Sequence, residues 1–257
     1  MSASAPDAGP SSAAASRGAL EQKLGYHVPL TYAERDALRW VERREKSYSA
    51  GTVVIEEGQP TDCLHVVASG WLHGSTRLPD GARQILRFYF LGDITATFSI
   101  AWSFSAATLT AVSDCTLYEV PRDVLGNLFR DHPRLGALLF AVSAAEQVAL
   151  SDRLSSIGRT DATTRVGTLL LQIRNQLAVV DGPSGSTFEL PLTLQDLGDA
   201  IGLTKTHAGR TLRALESAGL IERDGRVIRI VDIATLAEKV GYKDRVSHIA
   251  TDWLPER

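Results

Sequence analysis

From Ser47 to Pro121 apolar and polar residues alternate in short runs: Thr52 to Glu56, Leu64 to Val67, Trp71 to Leu78, Gln84 to Phe90, Thr108 to Val112 and Thr116 to Val120. Turn residues bound each run. Gly51, Gly58, Gly70, Gly81 and Gly92 supply the bounds, and Pro79-Asp80-Gly81 reads as a hairpin turn. Short strands at near-regular spacing predict a barrel or sandwich. Just upstream, Thr31 to Arg43 has helical periodicity with a Thr at the N-cap position.

Beyond Pro121 the period lengthens. Asp123 to Phe129 predicts a short helix, and His132-Pro133 opens a long one that runs to about Ile157. Leu135, Leu138, Val142, Ala145 and Ala149 step by three and four, and Leu150, Leu154 and Ile157 continue on a neighbouring stripe. At roughly 25 residues the helix would span about 37 Å, long for a helix packed only on its own domain. It reads either as a core helix or as a dimer seam, with Ala141, Ala144 and Ala145 permitting close approach. Gly158 is expected to break the run. Asp161 then caps a second helix with Val166, Leu169, Leu170, Ile173 and Leu177 on its apolar face, followed by a loop containing Asp181-Gly-Pro-Ser-Gly-Ser.

The stretch from Leu192 to Ile221 says most about function. Thr193 can cap a helix carrying Leu194, Leu197 and Ile201, Ala200 permits a crossing helix to approach, and Gly202 supplies a sharp turn. A second helix begins near Thr204. Its buried side collects Ala208, Thr211, Leu212, Leu215 and Gly219; the opposite side carries Thr206, Arg210, Arg213 and Ser217. Lys205 stands at the exposed N-terminal end and His207 on a flank. Such a helix offers polar residues to base edges and Arg reach to guanine and phosphate. Ile221 to Ile230 reads as a hairpin around Asp224-Gly225, the wing of a winged helix.

Composition adjusts this picture in two places. The first 18 residues are nearly all Ala, Ser, Pro and Gly, which predicts a disordered tail. The 257-residue chain has a formal charge of -3, with 27 Lys+Arg against 30 Asp+Glu, which argues against nucleic acid only if totals matter. Between Pro191 and Ile230 six Arg/Lys face five Asp/Glu, and the stretch from Thr204 to Arg213 holds three cations and no anion. Affinity from phosphate neutralisation follows the contacting face. Two cysteines make no disulfide framework and no metal finger. No basic start precedes an apolar stretch, and the longest apolar run, Leu135 to Val142, is too short for a membrane span.

A glycine-punctuated β-roll, a long helix and a C-terminal winged helix in this order resemble the CRP/FNR family of bacterial transcription regulators. Leu197-Gly-Asp-Ala-Ile-Gly-Leu-Thr, Gly209-Arg210-Thr-Leu-Arg-Ala-Leu-Glu and Gly219-Leu-Ile-Glu carry the resemblance most specifically. It implies an α+β chain: a tail (1–18), a cyclic-nucleotide-binding-like β-roll of jelly-roll type (19–131), a dimerisation helix (132–158), a winged helix-turn-helix domain (159–240) and an extension (241–257). It implies a cytoplasmic homodimer on a pseudo-palindromic double-stranded DNA site, with RNA polymerase as a further partner. Lys205, Thr206 and Arg210 match base-reading positions and Thr193 a phosphate-contacting one; Thr204, His207 and Arg213 complete the expected surface. Many members carry Glu where this chain has Thr206, so a different target sequence is expected, and Leu194 stands where a polar contact is common.

The effector cassette departs further. The positions that in cyclic-nucleotide binders hold a ribose-binding Glu and a phosphate-binding Arg are Thr97 and Ser105, and residues 93–107 contain no Arg. A buried phosphate without a cation is poorly compensated, so cyclic AMP is not expected. Cys63 and Cys115 cannot supply an iron–sulfur cluster, and His65 and His73 read as strand residues rather than haem ligands, so neither metal nor cofactor is expected. Phe98, Trp102 and Phe104 read as core filling, with a pocket for an unidentified small-molecule effector as the alternative. Catalysis in a metal-dependent barrel would need several converging His, which the strands lack. A partner-binding module that keeps the fold without reading DNA is the remaining alternative.

Overall fold

The computed structural model describes residues 17–181, 185–245 and 247–256, so most of the expected N-terminal tail and the centre of the 181–186 loop lie outside the described residues. Two helices, α1 (Ala19–His27) and α2 (Tyr32–Val41), precede eight strands: β1 (Glu45–Tyr48), β2 (Val53–Ile55), β3 (Cys63–Ser69), β4 (Leu72–Arg77), β5 (Arg83–Tyr89), β6 (Ile94–Thr95), β7 (Thr108–Ala111) and β8 (Cys115–Pro121). They form two antiparallel four-stranded sheets, ordered β1-β8-β3-β6 and β2-β7-β4-β5. Val67 and Leu117 of the first meet Ile55, Leu72 and Leu109 of the second in a shared core, as in a jelly roll. All five turn glycines have positive φ. Gly70 has a second reason to be glycine, since a Cβ there would lie 2.2 Å from the Asp114 carbonyl oxygen.

Thr31 caps α2 through a capping box with Glu34, as the periodicity predicts. The pattern does not announce α1, β1 or β6. In α1 both Glu21 and Lys23 are buried, which erases the amphipathic signal, and β1 is a mostly exposed polar strand.

After the roll come α3 (Arg122–Asp131), α4 (Pro133–Arg159) and α5 (Ala162–Asp181). Gly158 does not end α4. It faces open space inside the helix, which stops only at the extended Thr160. Asp161 then accepts a 2.7 Å hydrogen bond from the Thr164 amide and opens α5 as expected.

The two apolar stripes of α4 have different fates. Leu135 and Leu138 are sealed into the core of α1, α2 and the roll, and Ala141 is buried on the chain's own side rather than offered to a partner. Phe140 (71% exposed), Val148, Leu150 and Leu154 (65% exposed) have no such cover. An 18-residue window of α4 has a mean hydropathy of 1.3, so by length and composition it could cross a membrane, contrary to the reading from consecutive apolar residues. Charged contacts nevertheless tie it down along its length. Arg134 donates to Glu34 at 2.7 Å, Glu146 accepts from Arg87 at 2.5 Å, and Arg153 donates to the Leu86 carbonyl at 2.7 Å.

The C-terminal domain adds β9 (Thr187–Glu189), α6 (Leu194–Ile201), α7 (Lys205–Ser217), β10 (Ile221–Asp224), β11 (Val227–Ile230) and α8 (Ile233–Val240). Val166, Leu170, Ile173, Leu197, Leu212, Leu215, Ile228 and Leu236 close its core.

Candidate nucleic-acid interface

Local chemistry sets the angle between α6 and α7. Thr193 accepts a hydrogen bond from the Asp196 amide at 3.1 Å while the Asp196 carboxylate accepts from the Thr193 amide at 3.0 Å, a reciprocal cap on α6. Gly202 ends α6 in the left-handed region at φ 69°. The close approach in the turn falls on Gly198, where a Cβ would lie 2.4 Å from the Leu203 carbonyl oxygen; Ala200, the residue expected there, is fully buried beside it. Thr204 caps α7 by accepting from the His207 amide at 3.2 Å.

Ala208, Gly209, Thr211, Leu212 and Leu215 form the buried side of α7. Gly219, expected among them, lies past the helix end and is exposed, because it reverses the chain into β10 at φ 66°. Leu194 is half-buried and packs on Gly209, where an added Cβ would meet Leu194 Cδ1 at 3.1 Å. An apolar residue at that position holds the two helices together. Thr193, Thr204, Lys205, Thr206, His207, Arg210 and Arg213 are all exposed.

The surrounding acids are largely taken up by other residues. Arg83 pairs with Asp196 at 2.5 Å and Asp199 at 2.7 Å, Arg223 with Glu216 at 2.6 Å, and Arg229 with Glu222 at 2.5 Å. Burial alone would raise the Asp196 carboxyl, but its bonds with Thr193 and Arg83 hold it below the usual aspartate range. Lys205, Arg210, Arg213 and Arg226 have no ion pair among the described residues. The exposed helix face and the wing turn thus keep their positive charge although the domain is almost neutral. The wing itself is β10 paired with β11 around Asp224-Gly225; β9, unforeseen in the sequence, adds a third strand beyond β11.

In the roll, the cassette is closed by its own backbone. Ser105 is buried, its hydroxyl donates to the Ala107 carbonyl at 2.6 Å, and its amide donates to the Gln59 carbonyl at 2.8 Å. Thr97 is exposed. Trp102 (53% exposed) and Phe104 (48% exposed) do not fill the core as expected. An isolated bridge from Phe104 to Pro60 holds that segment at the surface; the side chain of Phe98 lies outside the described residues. Burial pushes the Cys63 thiol up to about 11, and among the described residues no three His, Cys, Asp or Glu side chains gather to hold a metal. A cleft of about 610 Å³ opens between roll and C-terminal domain, lined in part by His73, Arg83, Thr193, Asp196 and Arg226.

A ligand-type β-roll joined by a long helix to a winged helix-turn-helix with an exposed cationic face defines a two-domain DNA-binding regulator. Residues 45–132 match the cyclic nucleotide-binding domain model and residues 164–239 the Crp-like helix-turn-helix domain model. The chain is 31% identical over 179 residues to the nitrogen fixation regulation protein FixK of Bradyrhizobium diazoefficiens, covering 69% of this chain and 74% of that one. It is 28% identical over 186 residues to the transcriptional activator protein FnrL of Cereibacter sphaeroides, covering 70% and 73%. The solved structure of FixK2 from Bradyrhizobium japonicum superposes with a TM-score of 0.68 at 27% identity, over 76% of this chain and 95% of that one. A CooA mutant from Carboxydothermus hydrogenoformans shares the fold, with a TM-score of 0.64 at 20% identity over 87% and 95%. The chain belongs to the CRP/FNR family of transcription regulators, which bind DNA through the helix-turn-helix and act as dimers, and it is not an enzyme.

Proposed function

We propose that the chain acts in the cytoplasm as a homodimer on a pseudo-palindromic duplex site. The α7 helix of each protomer enters the major groove, and the half-site centres lie about 34 Å apart. Lys205, Thr206 and Arg210 read base edges; Thr193, Thr204, His207 and Arg213 meet the backbone and groove walls. The observation that carries this reading is the sorting of charge: the acids beside the reader are mostly paired, while Lys205, Arg210 and Arg213 stand exposed on one helix face. The uncovered α4 stripe of Phe140, Val148, Leu150 and Leu154 supports the dimer. The division into roll (19–131), dimer helix (132–158), reader (159–240) and extension (241–257) follows from it, and RNA polymerase is the partner through which DNA binding acts. Any effector is not cyclic AMP, because Thr97 and Ser105 offer no cation to its phosphate.

Selection from random duplexes at fixed salt tests the proposal. The wild type is expected to enrich an inverted repeat, and Arg210→Ala to lose about 1–3 kcal/mol per half-site if its guanine contact is bidentate. Unchanged affinity of Arg210→Ala for the selected site would remove that residue from the reading surface.

A further inference from the structure

The reader is attached to the rest of the chain by more than the α4–α5 junction. Arg83, at the start of β5 just past the Pro79-Asp80-Gly81 turn, reaches across to α6. Its Nη2 donates to Asp196 Oδ1 at 2.5 Å and its Nε to Asp199 Oδ2 at 2.7 Å. The neighbouring Gln84 donates to the Asp199 carbonyl at 2.7 Å. Arg153 of α4 donates to the Ala200 carbonyl and, from the same guanidinium, to the Ile85 and Leu86 carbonyls of β5.

These are the orphan carbonyls that any helix leaves at its C-terminus. Within α6, Gly198 is satisfied locally by the Leu203 amide and Ile201 faces Arg165 of α5. The two between them, Asp199 and Ala200, are capped by the roll and the long helix. The first helix of the helix-turn-helix is therefore completed by side chains from the sensor side. Cationic Arg153 at that C-terminus also suits the helix dipole.

The contact does not occlude the reader. With the clasp closed, Thr193, Thr204, Lys205, Thr206, His207, Arg210 and Arg213 are all exposed. The apolar cluster of α5 to α8 also takes in Ile85, Phe88 and Phe90 of the roll, so the polar clasp borders a packed seam between the two parts.

We propose that Arg83, with Gln84 and Arg153, is a positioning device that sets the angle of the reader on the roll and so fixes the half-site spacing the dimer accepts. The proposal rests on the dimeric reading above. The partners in each protomer are connected through α4 to the symmetry-related copy, so the orientation of α6 against β5 decides how far apart two α7 helices stand. Loss of the clasp leaves each reader held by the α4–α5 junction and by apolar contact with Ile85, Phe88 and Phe90, which fixes its angle less sharply than directed hydrogen bonds do. Sequence preference within one half-site then persists while preference for the gap between half-sites relaxes.

The test uses the full chain and a panel of duplexes carrying two selected half-sites with spacers lengthened or shortened by single base pairs. The wild type is expected to lose about tenfold in affinity for one base pair of displacement, the scale of a single mismatch. Arg83→Ala is expected to lose about threefold or less for the same displacement, with unaltered preference inside the half-site. Arg83→Lys, which keeps a cation facing both Asp196 and Asp199, is expected to retain most of the sharp optimum, a rescue that a general loss of stability does not predict. Gln84→Ala, a milder cut through the same contact, is expected to shift the profile in the same direction and covers a fold failure of Arg83→Ala. A wild-type profile in both Arg83→Ala and Gln84→Ala overturns the clasp while leaving the dimer standing. A wild type that selects single half-sites overturns the dimeric reading itself.

Discussion

In the reader, Lys205, Arg210 and Arg213 stand unpaired on an exposed face; in the roll and the adjoining α4, Lys23, Arg87 and Arg134 are turned inward onto Asp93, Glu146 and Glu34. The two halves hold similar charges and use them oppositely. Cations on the reader remain available to a partner's phosphates. Those of the roll are consumed in joining α1, α2 and α4 to the strands. Burial alone would raise the Glu146 carboxyl, but Arg87 and Lys23 hold it below the usual glutamate range, so it stays a carboxylate facing Arg87. An anionic ligand at that junction would have to displace Glu146. Residues 93–107 contain no Arg either, so the cations around β5 face the chain's own carboxylates.

The α4 helix divides these two regimes, and breaking it should have the largest effect. Phe140→Asp with Leu154→Asp places carboxylates on the uncovered stripe without touching the Leu135 and Leu138 side. Sedimentation should show a monomer, and affinity for the inverted repeat should fall about 100-fold or more because the second half-site is no longer tethered. A variant that stays dimeric would mean the dimer forms elsewhere.

Next in size is a test of the inward-facing charges. Glu146→Gln leaves the Arg87 guanidinium without its bidentate partner and should cost about 3 kcal/mol of stability, the lower end for a broken buried pair because both side chains keep some solvent contact. Arg210→Ala is the counterpart. It is exposed and unpaired, so it should change stability by less than about 0.5 kcal/mol while weakening DNA binding. Denaturant titration of the two variants beside binding curves separates the two uses of charge. Equal stability losses would erase the distinction.

The reader's architecture could be read along the chain because its determinants are local. Thr193, Gly202 and Thr204 cap within a few residues of what they cap, and the buried register of α7 repeats at helical spacing. What escaped reading depends on partners far away in sequence. Arg83 finds Asp196 and Asp199 at separations of 113 and 116 residues, and no local pattern marks it. The helix α1 was hidden because Lys23 pairs with Asp93 at a separation of 70 residues, which lets a charged side chain stand where an apolar one was expected. Gly158 misled for the opposite reason: its breaker propensity is a weak prior, overridden by a helix anchored on both sides of it. Trp102 and Phe104 read as core because aromatic residues in a strand-rich segment usually are, yet their loop lies on the outside of the roll.

Acid should separate the halves by the smallest effect. Burial first, and Arg83 second, pushes His73 down to about 4, with Asp196 and Asp199 opposing that shift; burial and Lys23 do the same to His27. Both are neutral in the folded chain at pH 7, while in the unfolded chain they titrate near 6.5. Between about pH 6.5 and 4 the unfolded state therefore binds more protons, and stability falls as pH falls. Each of these two histidines should contribute about 1 kcal/mol of loss at pH 5.5. Tryptophan fluorescence reports mainly on the roll, because Trp40, Trp71 and Trp102 lie there, Trp253 lies in the extension and none lies between 159 and 240. The fluorescence melting midpoint should drop from pH 7 to pH 5.5, and His73→Phe should reduce the drop. The substitution removes a buried, unpartnered Nδ1 together with the 3.4 Å contact between Nε2 and Arg83, so the drop between pH 7 and pH 5.5, not the midpoint at pH 7, is the quantity to compare. A pH-independent midpoint would mean that these histidines titrate freely, and that the roll is more open to water around β4 than its burial indicates.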